Sequence, residues 1–448
     1  MEDSVIENVE EFHSEPVPNS ERLGFKQPAW VWSGFGIAFI CAVIGGTIQT
    51  GLGTRNAIIA ILLGNLILFI YASALGYASG KWGMNFPLTV TAVFGKSGAF
   101  IPIVLLATLV TGWYSFHTWL TADIVRVAFD IESTALVAGI ALVVGLLYAV
   151  PVIFGIKSMA LVRQIAIPAM VLFVVYYLVT RVFPAGVDLF AAEGTGDISF
   201  WTGVGMAWAT FAVSGTMTGD IVRWTRSGRQ AVGVTGVAFL LSNGPFMILG
   251  AFFAAAINDP SVPYFLAADT APVLLSLSAI AVLSTWSTAD ACLYNASLGY
   301  SNAIRAFNWH RAGMLATALG IVLAMTGLIG NVTNILIAIG LVVPPVGAAI
   351  IADFFVMRRG IEFAADRRSG TNIAAIIATL GGIVAGILAY VSFPTLIFGI
   401  PGMVVTVALY LVLGLGLGAK VGAERPSVRN TAEAELMPAS YLDESSAG

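Results

Sequence analysis

The chain has 448 residues, of which 58% are hydrophobic and only 10% are charged, and its mean hydropathy is +0.89. Because about a quarter of the residues of a soluble protein are charged, this composition excludes a soluble globular protein and indicates an integral membrane protein. The net charge of −4 says little, since the acidic residues concentrate near the two ends, and no nucleic-acid partner is expected. The two cysteines, Cys41 and Cys292, fall in apolar segments, which excludes a disulfide framework.

Twelve segments are apolar over about 20 residues, the length that a membrane-spanning helix needs. We number them spans 1 to 12 in chain order: 29–53, 56–79, 98–126, 134–156, 159–182, 198–222, 231–257, 271–303, 311–329, 331–356, 373–392 and 395–418. The flanking tails, 1–28 and 419–448, are polar and aperiodic, and we expect both to be disordered. The first 20 residues are acidic, so no cleavable signal peptide is predicted.

Lysine and arginine positions predict the orientation of these spans. With a cytoplasmic N-terminus, 18 of the 21 basic residues, Arg163 among them, fall on the cytoplasmic side, and only Arg55, Arg126 and Arg181 fall outside. Cytoplasmic loops carry an excess of such residues, and a wrong helix count would scramble the alternation. We therefore expect a multi-pass protein of the cytoplasmic (inner) membrane with both termini in the cytoplasm.

Two spans contain similar glycine-threonine runs, Gly45–Gly51 in span 1 and Ser214–Asp220 in span 6. Non-helical chain at membrane depth must line a cavity or be buried in protein. Paired breaks at equivalent positions of two halves are the best sequence indication of a transporter's binding site, although glycine also serves close helix packing. We predict two inverted five-helix repeats, 29–182 and 198–356, with discontinuous spans 1 and 6 and two further helices in 373–418.

Hydroxyl, aromatic and histidine side chains in spans 3 and 8 are further candidates. Ser287 and Thr288, one turn after Ser284, could give oxygen ligands to Na⁺, or could simply bond back to their own helix. Trp113 could stack on a flat ring, with Phe211 of span 6 opposite, or could be a packing residue. His117 could relay a proton or could be a packed histidine.

Charged residues within the membrane are also functional candidates. Asp290 lies close to the hydroxyl pair of span 8, and Asp220 with Arg223 is expected to form an ion pair at the cytoplasmic mouth. Asp353 with Arg358 and Arg359, and Asp123 with Arg126, are predicted helix-end clusters. No phosphate loop, metal-ligand cluster or nucleophile motif is present, so an enzyme is not predicted and transport would use an ion gradient.

The sequence resembles the nucleobase:cation symporter family, and within it the cytosine-permease branch. Five separated stretches carry the resemblance in order: Pro16–Arg22 with the Gly45–Gly51 run, Gly112–Trp113, Phe211 with Ser214–Asp220, Thr285–Asp290, and Pro344–Asp353. The resemblance implies alternating access in a five-plus-five repeat and uptake of a planar nitrogen heterocycle with Na⁺. No cofactor other than the coupling ion is implied, and a monomer in the lipid bilayer is expected.

The resemblance also implies roles for individual residues. Trp113 and Phe211 would stack on the two faces of the ring, and Thr210, Gln49, Gly215 and Ala289 would complete the substrate site. The hydroxyls of Ser287 and Thr288 and the carbonyls of Ser284, Ala38 and Cys41 would bind sodium. Coupling or gating would involve Asp290, Asp220, Arg223 and His117.

Three departures from the cytosine-permease pattern concern the substrate's edge. Val110, Val213 and Ala289 stand where polar side chains are expected, which argues against cytosine itself and favours a less polar heterocycle such as a pyrimidine vitamin precursor. Two alternatives remain open at this point. One is proton coupling through Asp290 or His117, and the other is a membrane sensor of the same fold that binds its ligand without moving it.

Overall fold

The computed structural model describes residues 12, 14–184, 189–257, 270–304, 306–327, 332–358, 370–393 and 396–416, and regular structure within them is entirely helical. Each predicted span corresponds to one helix or to consecutive helices. Spans 1 to 5 are Lys26–Gly36 with Phe39–Leu52, Thr54–Trp82, Phe100–Ala128, Thr134–Ile153, and Ile156–Tyr177 with Leu178–Val182. Span 6 is Phe200–Ala209 with Ala212–Thr216 and Gly219–Val222, and span 7 is Gly228–Gly236 with Val237–Asn243 and Gly244–Ile257. Spans 8 to 12 are Ala271–Ala303, Trp309–Met325, Val332–Val342 with Pro344–Ala352 and Asp353–Met357, Ile373–Ser392, and Ile400–Gly416.

Helix length supports the membrane assignment. Among the described residues, eight helices are long and apolar enough to cross a bilayer, and the bent pair of span 1 makes nine. Trp309–Met325 and Ile400–Leu415 are apolar but shorter, and span 6 consists of short pieces. The all-helical membrane fold is confirmed, whereas the count of twelve crossings stays a prediction.

Span 1 is broken at Ile37 and Ala38. The helices on either side are bent by 48° relative to each other, and Ala38 has an extended backbone with φ −108° and ψ 142°. The prediction of a break within Gly45–Gly51 is therefore wrong, because that run is helical as far as Leu52.

Close packing explains the glycines of that run. A Cβ atom at Gly45 would overlap the carbonyl of Met247 in span 7, and one at Gly250 would overlap the backbone of Ala42. The hydroxyls of Thr47 and Thr50 donate to carbonyls four residues earlier in the same helix, at 2.9 and 3.0 Å. Small residues let two membrane helices approach closely, so the run joins span 1 to span 7.

Span 6 is broken as predicted, although the break begins four residues before the glycine-threonine run. Helical structure stops at Thr210–Phe211 and again at Met217–Thr218. Phe211, with φ −120° and ψ 20°, is outside the helical region. The break therefore places the aromatic ring of Phe211 at an irregular point in the middle of the span.

A short helix that the sequence interpretation missed, Phe86–Phe94, follows span 2. It has only nine residues, too few to cross a bilayer. Asn85 caps its first turn by accepting a hydrogen bond from the Leu88 amide at 2.9 Å, and Pro87 lies in that turn. Both features are recognisable helix-start signals in the sequence.

Residues 14–25 pack against the ends of other helices, so the expectation of a disordered N-terminal tail is wrong for this part. Val17 is 1% exposed and its amide donates to the Gly83 carbonyl at 2.9 Å. The Arg22 guanidinium donates to the carbonyls of Val17 and Gly80, each at 3.1 Å. Residues 1–11, 13 and 419–448 of the predicted tails lie outside the described residues.

Candidate functional site

A small cavity of about 10 Å³ lies where spans 1, 3, 6 and 8 meet. None of its lining residues is more than 9% exposed. They are Phe35, Ile40, Trp113, His117, Thr210, Phe211, Ser214, Thr288 and Cys292. A space of this size holds about one water molecule, so binding of a heterocycle requires the helices to move apart.

Aromatic rings from three spans form much of the cavity wall. Trp113 extends from span 3 and Phe211 from the break of span 6, as the stacking prediction requires. Phe35, which the sequence interpretation missed, meets Phe211 edge to face with ring centroids 5.2 Å apart. A flat apolar surface with few polar groups is what recognition of a planar heterocycle needs.

The polar groups of the cavity are an imidazole and hydroxyls. His117 lies one turn after Trp113, so both side chains share a helix face. Its Nδ1 atom has no hydrogen-bond partner among the described residues, although the residue is buried. Thr210 lines the cavity as predicted, and Ser214, a turn after Phe211, was missed. Helical spacing from the two stacking residues could have identified both His117 and Ser214 as lining residues.

Three predicted substrate contacts are not brought to this cavity. The amide of Gln49 donates to the Thr54 hydroxyl at 3.3 Å, at the turn between spans 1 and 2. Gln49 is nine residues beyond Ile40, or about 13 Å along a helix. A Cβ at Gly215 would point at Leu68 of span 2, 3.1 Å away, and Ala289 is buried but does not line the cavity.

The predicted sodium ligands of span 8 lie against the break of span 1. The Ser284 hydroxyl donates to the Ile37 carbonyl at 2.9 Å, and the Ser287 hydroxyl donates to the Gly34 carbonyl at 3.2 Å. The Ser284 carbonyl accepts from the hydroxyls of Ser287 at 2.9 Å and Thr288 at 3.3 Å. We call these residues, with Ala38, the oxygen cluster.

The chemistry of the oxygen cluster fits a small hard cation. Its oxygen ligands would be hydroxyls and the backbone carbonyls at a helix break. Such groups coordinate coupling ions in transporters with discontinuous helices. Cys41 donates its amide to the Ala38 carbonyl at 2.8 Å, so both predicted span 1 residues are beside the break. Thr288 belongs to the cluster and also lines the cavity, which makes it the direct link between the two.

Asp290 is ion-paired, and its partner Arg163, which the charge count placed on the cytoplasmic side, is buried inside the protein. The two side chains are fully buried, and Arg163 Nη2 is 2.5 Å from Asp290 Oδ1. Buried charges are almost always paired in this way because an isolated one is costly to remove from water. No local pattern links these two residues, which are 127 positions apart.

The expected ion pair between Asp220 and Arg223 is absent from the described residues. Asp220 instead accepts from the Phe86 amide at 2.7 Å, at the start of helix Phe86–Phe94, where a carboxylate is favoured by the helix dipole. Arg223 donates to the carbonyl of Phe12 and to the Tyr294 hydroxyl at 3.1 Å. Positions three apart share a helix face, but each of these two side chains hydrogen-bonds groups that are far away in the sequence.

The other two charged clusters form as predicted. Arg126 Nε is 2.6 Å from Asp123 Oδ1, and Arg358 Nε is 2.9 Å from Asp353 Oδ2. Arg359, the third member of the second cluster, lies outside the described residues. Tyr410 also donates to Asp353 at 2.6 Å, which attaches span 12 to span 10.

Comparison with known structures supports the same architecture. The chain superposes on the nucleobase-cation-symport-1 family transporter Mhp1 in a closed conformation with bromovinylhydantoin bound, with a TM-score of 0.81, 20% identity, and coverage of 94% of this chain and 98% of that one. It also matches the inward-facing conformation of Mhp1 with a TM-score of 0.79, 19% identity, and coverage of 94% and 97%. At these identities the likeness shows the fold.

Sequence comparison is more specific. The cytosine permease of Escherichia coli (strain K12) is 33% identical over 380 residues, covering 84% of this chain and 88% of that protein. The hydantoin permease of Microbacterium maritypicum is 24% identical over 362 residues, covering 74% and 72%. The sequence profile of permeases for cytosine/purines, uracil, thiamine and allantoin matches residues 16–414. The chain therefore belongs to this permease family and is a multi-pass membrane transporter, not an enzyme.

Proposed function

We propose that the protein imports a planar nitrogen heterocycle by Na⁺-coupled alternating access across the cytoplasmic membrane, with both termini in the cytoplasm. One observation carries the proposal: Trp113, Phe211 and Thr288 line one small cavity of buried residues, and Thr288 also belongs to the oxygen cluster. Substrate and ion would thus bind next to each other, with Thr288 in contact with both.

The polar groups of the cavity suggest the class of heterocycle. Among its lining residues none has a carboxamide, and the imidazole of His117 and the hydroxyls of Thr210 and Ser214 would contact the ring's edge. A buried polar group left without a partner is penalised, so an edge rich in donors and acceptors would bind poorly. We therefore expect a substituted or less polar ring to be preferred over cytosine.

The oxygen cluster suggests how the ion would be coupled to the substrate. The carbonyls of Ala38, Cys41 and Ser284 and the hydroxyls of Ser287 and Thr288 would hold Na⁺. The ion would supply a positive charge that joins the break of span 1 to span 8. Because these two elements also form walls of the cavity, fixing them together would stabilise the closed form around a bound ring.

Ligand screening tests the proposal. Purified protein would be heated with purines, pyrimidines, hydantoins and vitamin precursors, in NaCl or in choline chloride. At least one ring should raise the thermal midpoint, more so in NaCl, and the same ring should accumulate in proteoliposomes with an inward sodium gradient. The absence of any stabilising ring would contradict the site, and stabilisation without accumulation would instead indicate a sensor.

Two substitutions localise the effects within that screen. Trp113→Ala should abolish ligand stabilisation, since stacking on one aromatic ring contributes about 1–3 kcal/mol. Thr288→Val should remove its sodium dependence while leaving stacking intact. Trp119→Ala is the matched control, because Trp119 is on the same helix but lines a different pocket.

Proton coupling is the second candidate, and the position of His117 favours it. This histidine lines the cavity with an unpartnered ring nitrogen, whereas Asp290 is occupied by Arg163. Uptake that persists in choline chloride, collapses with a protonophore and is lost in His117→Gln would support this candidate over sodium.

A further inference from the structure

The buried pair Arg163–Asp290 lies next to the oxygen cluster and has no role in the transport scheme above. Neither side chain is exposed to solvent. Two contacts join them, from Nη2 to Oδ1 at 2.5 Å and from Nη1 to Oδ2 at 3.1 Å. A bidentate pair of this kind fixes the plane of the guanidinium and therefore the direction of its remaining donors.

Those remaining donors reach the backbone of three different spans. Arg163 donates to the Ser287 carbonyl of span 8 at 2.5 Å and to the Met159 carbonyl of its own span at 2.6 Å. Its Nε donates to the Val31 carbonyl, in the N-terminal half of span 1, at 3.1 Å. A Cβ atom at Gly34 would lie 2.5 Å from Arg163 Cγ, so this half-helix rests directly on the arginine.

Arg163 connects the same two elements that a bound sodium ion would connect. Both join the N-terminal half of span 1 to span 8, which already share the hydrogen bonds from Ser284 to Ile37 and from Ser287 to Gly34. Arg163 donates three hydrogen bonds to span 8 but only one to span 1, to the Val31 carbonyl. The bond to Val31 is therefore the one that breaks first when the half-helix moves away.

We propose that Arg163 is a positioning residue: a tethered cation that holds the N-terminal half of span 1 on span 8 whether or not Na⁺ is bound. The proposal rests on the proposed function, since it assigns part of the closure to the arginine and part to the ion. In the wild type, closure then depends only weakly on sodium. Without the arginine, closure depends on the ion alone.

The two native cysteines report on this closure. Cys41 is beside the break and Cys292 lines the cavity, and both are buried in the closed form. Purified protein would be alkylated with N-ethylmaleimide in NaCl or in choline chloride, without any heterocycle. Arg163→Gln combined with Asp290→Asn removes both charges, so no unpaired charge stays buried. We expect its alkylation to be about tenfold faster in choline than in NaCl, the effect of losing a charged hydrogen bond, with little difference for the wild type.

Two further variants make the result interpretable. Arg163→Lys keeps the charge beside Asp290 but lacks the fork of donors, and it should show the same sodium dependence more weakly. Arg126→Gln, which removes an arginine from the exposed pair with Asp123, should behave as the wild type. General destabilisation would speed alkylation equally in both salts, so it would not imitate the expected pattern.

The proposal is overturned if both Arg163 variants are alkylated at the wild-type rate in choline, or if their alkylation is equally fast in the two salts. It is also overturned if the wild type itself shows the tenfold sodium effect. These outcomes do not depend on uptake. A protein that transports no heterocycle but shows the expected alkylation pattern would contradict the proposed function and leave the role of Arg163 standing.

Discussion

Spans 1 and 6 carry similar glycine-threonine runs but use them differently. In span 6 the chain departs from helical geometry at Phe211, just before its run, whereas in span 1 the run is helical and packs on span 7. The real break of span 1, at Ile37 and Ala38, has no glycine in it. Local sequence thus marks a place where a break is tolerated, and the neighbouring helices decide whether one forms.

The partners of each break explain the difference. At Ile37 the freed carbonyl accepts from the Ser284 hydroxyl of span 8, which compensates the lost helical bond. At the end of span 6, Asp220 binds the amide of Phe86 at the start of a separate helix. The carbonyl at the break of span 1 and the carboxylate that follows the breaks of span 6 are therefore both partnered by groups that are far away in the sequence.

The largest expected effect separates the glycines of the two runs. Gly45→Ala should destabilise the protein by about 3 kcal/mol, because its Cβ would overlap the Met247 carbonyl, which is backbone and cannot turn aside. Gly215→Ala is the matched control in the other run: its Cβ would meet the flexible end of Leu68 and should cost less than about 1 kcal/mol. Thermal midpoints in detergent measure the stability of both variants. Equal losses of stability would contradict the conclusion that the two runs pack differently.

The next effect concerns ligand binding at the break of span 6. Phe211→Ala should weaken binding of the heterocycle found in the screen by about 10- to 100-fold, the contribution of one stacking ring. Phe200→Ala, at the start of the same span and outside the cavity, should leave the affinity unchanged. Isothermal titration in NaCl measures both, and a normal affinity for the Phe211 variant would remove span 6 from the site.

A smaller effect is expected at the break of span 1. Ser284→Ala leaves the partly buried Ile37 carbonyl without its partner and should cost about 1–2 kcal/mol of stability. Ser276→Ala, on the same helix, removes only an exposed bond back to the Pro272 carbonyl and should have no measurable effect. The thermal midpoint in choline chloride is the measurement. If the two variants behave alike, Ser284 does not stabilise the break.

The smallest effect tests the claim that the run in span 1 is ordinary helix. Thr47→Val removes a hydroxyl that bonds within its own helix, so we expect a change in stability of less than about 0.5 kcal/mol and unchanged ligand binding. Loss of ligand binding in this variant would show that the Gly45–Gly51 run takes part in the substrate site, contrary to its description as a packing segment.

Much of the site was predictable because helices order residues by spacing. Trp113, Phe211, Thr210 and the hydroxyls of span 8 were identified from residue type, pattern and resemblance, and the structure brings them together. Gln49 was misplaced because it lies within the Gly45–Gly51 run, which was assumed to be the break. Phe35 was missed because nothing in the sequence shows that the N-terminal half of span 1 faces span 6.

By itself, the sequence determined that this is a helical membrane protein, where its spans begin and end within a few residues, and which family it belongs to. Hydrophobic length and local caps carry that information, since a bilayer imposes the same demand on every span. Only the tertiary structure decided where span 1 breaks, that Asp290 pairs with Arg163, and that Asp220 caps a short helix instead of binding Arg223. Each of these depends on which distant group satisfies a buried polar atom, and no local pattern encodes such a partner.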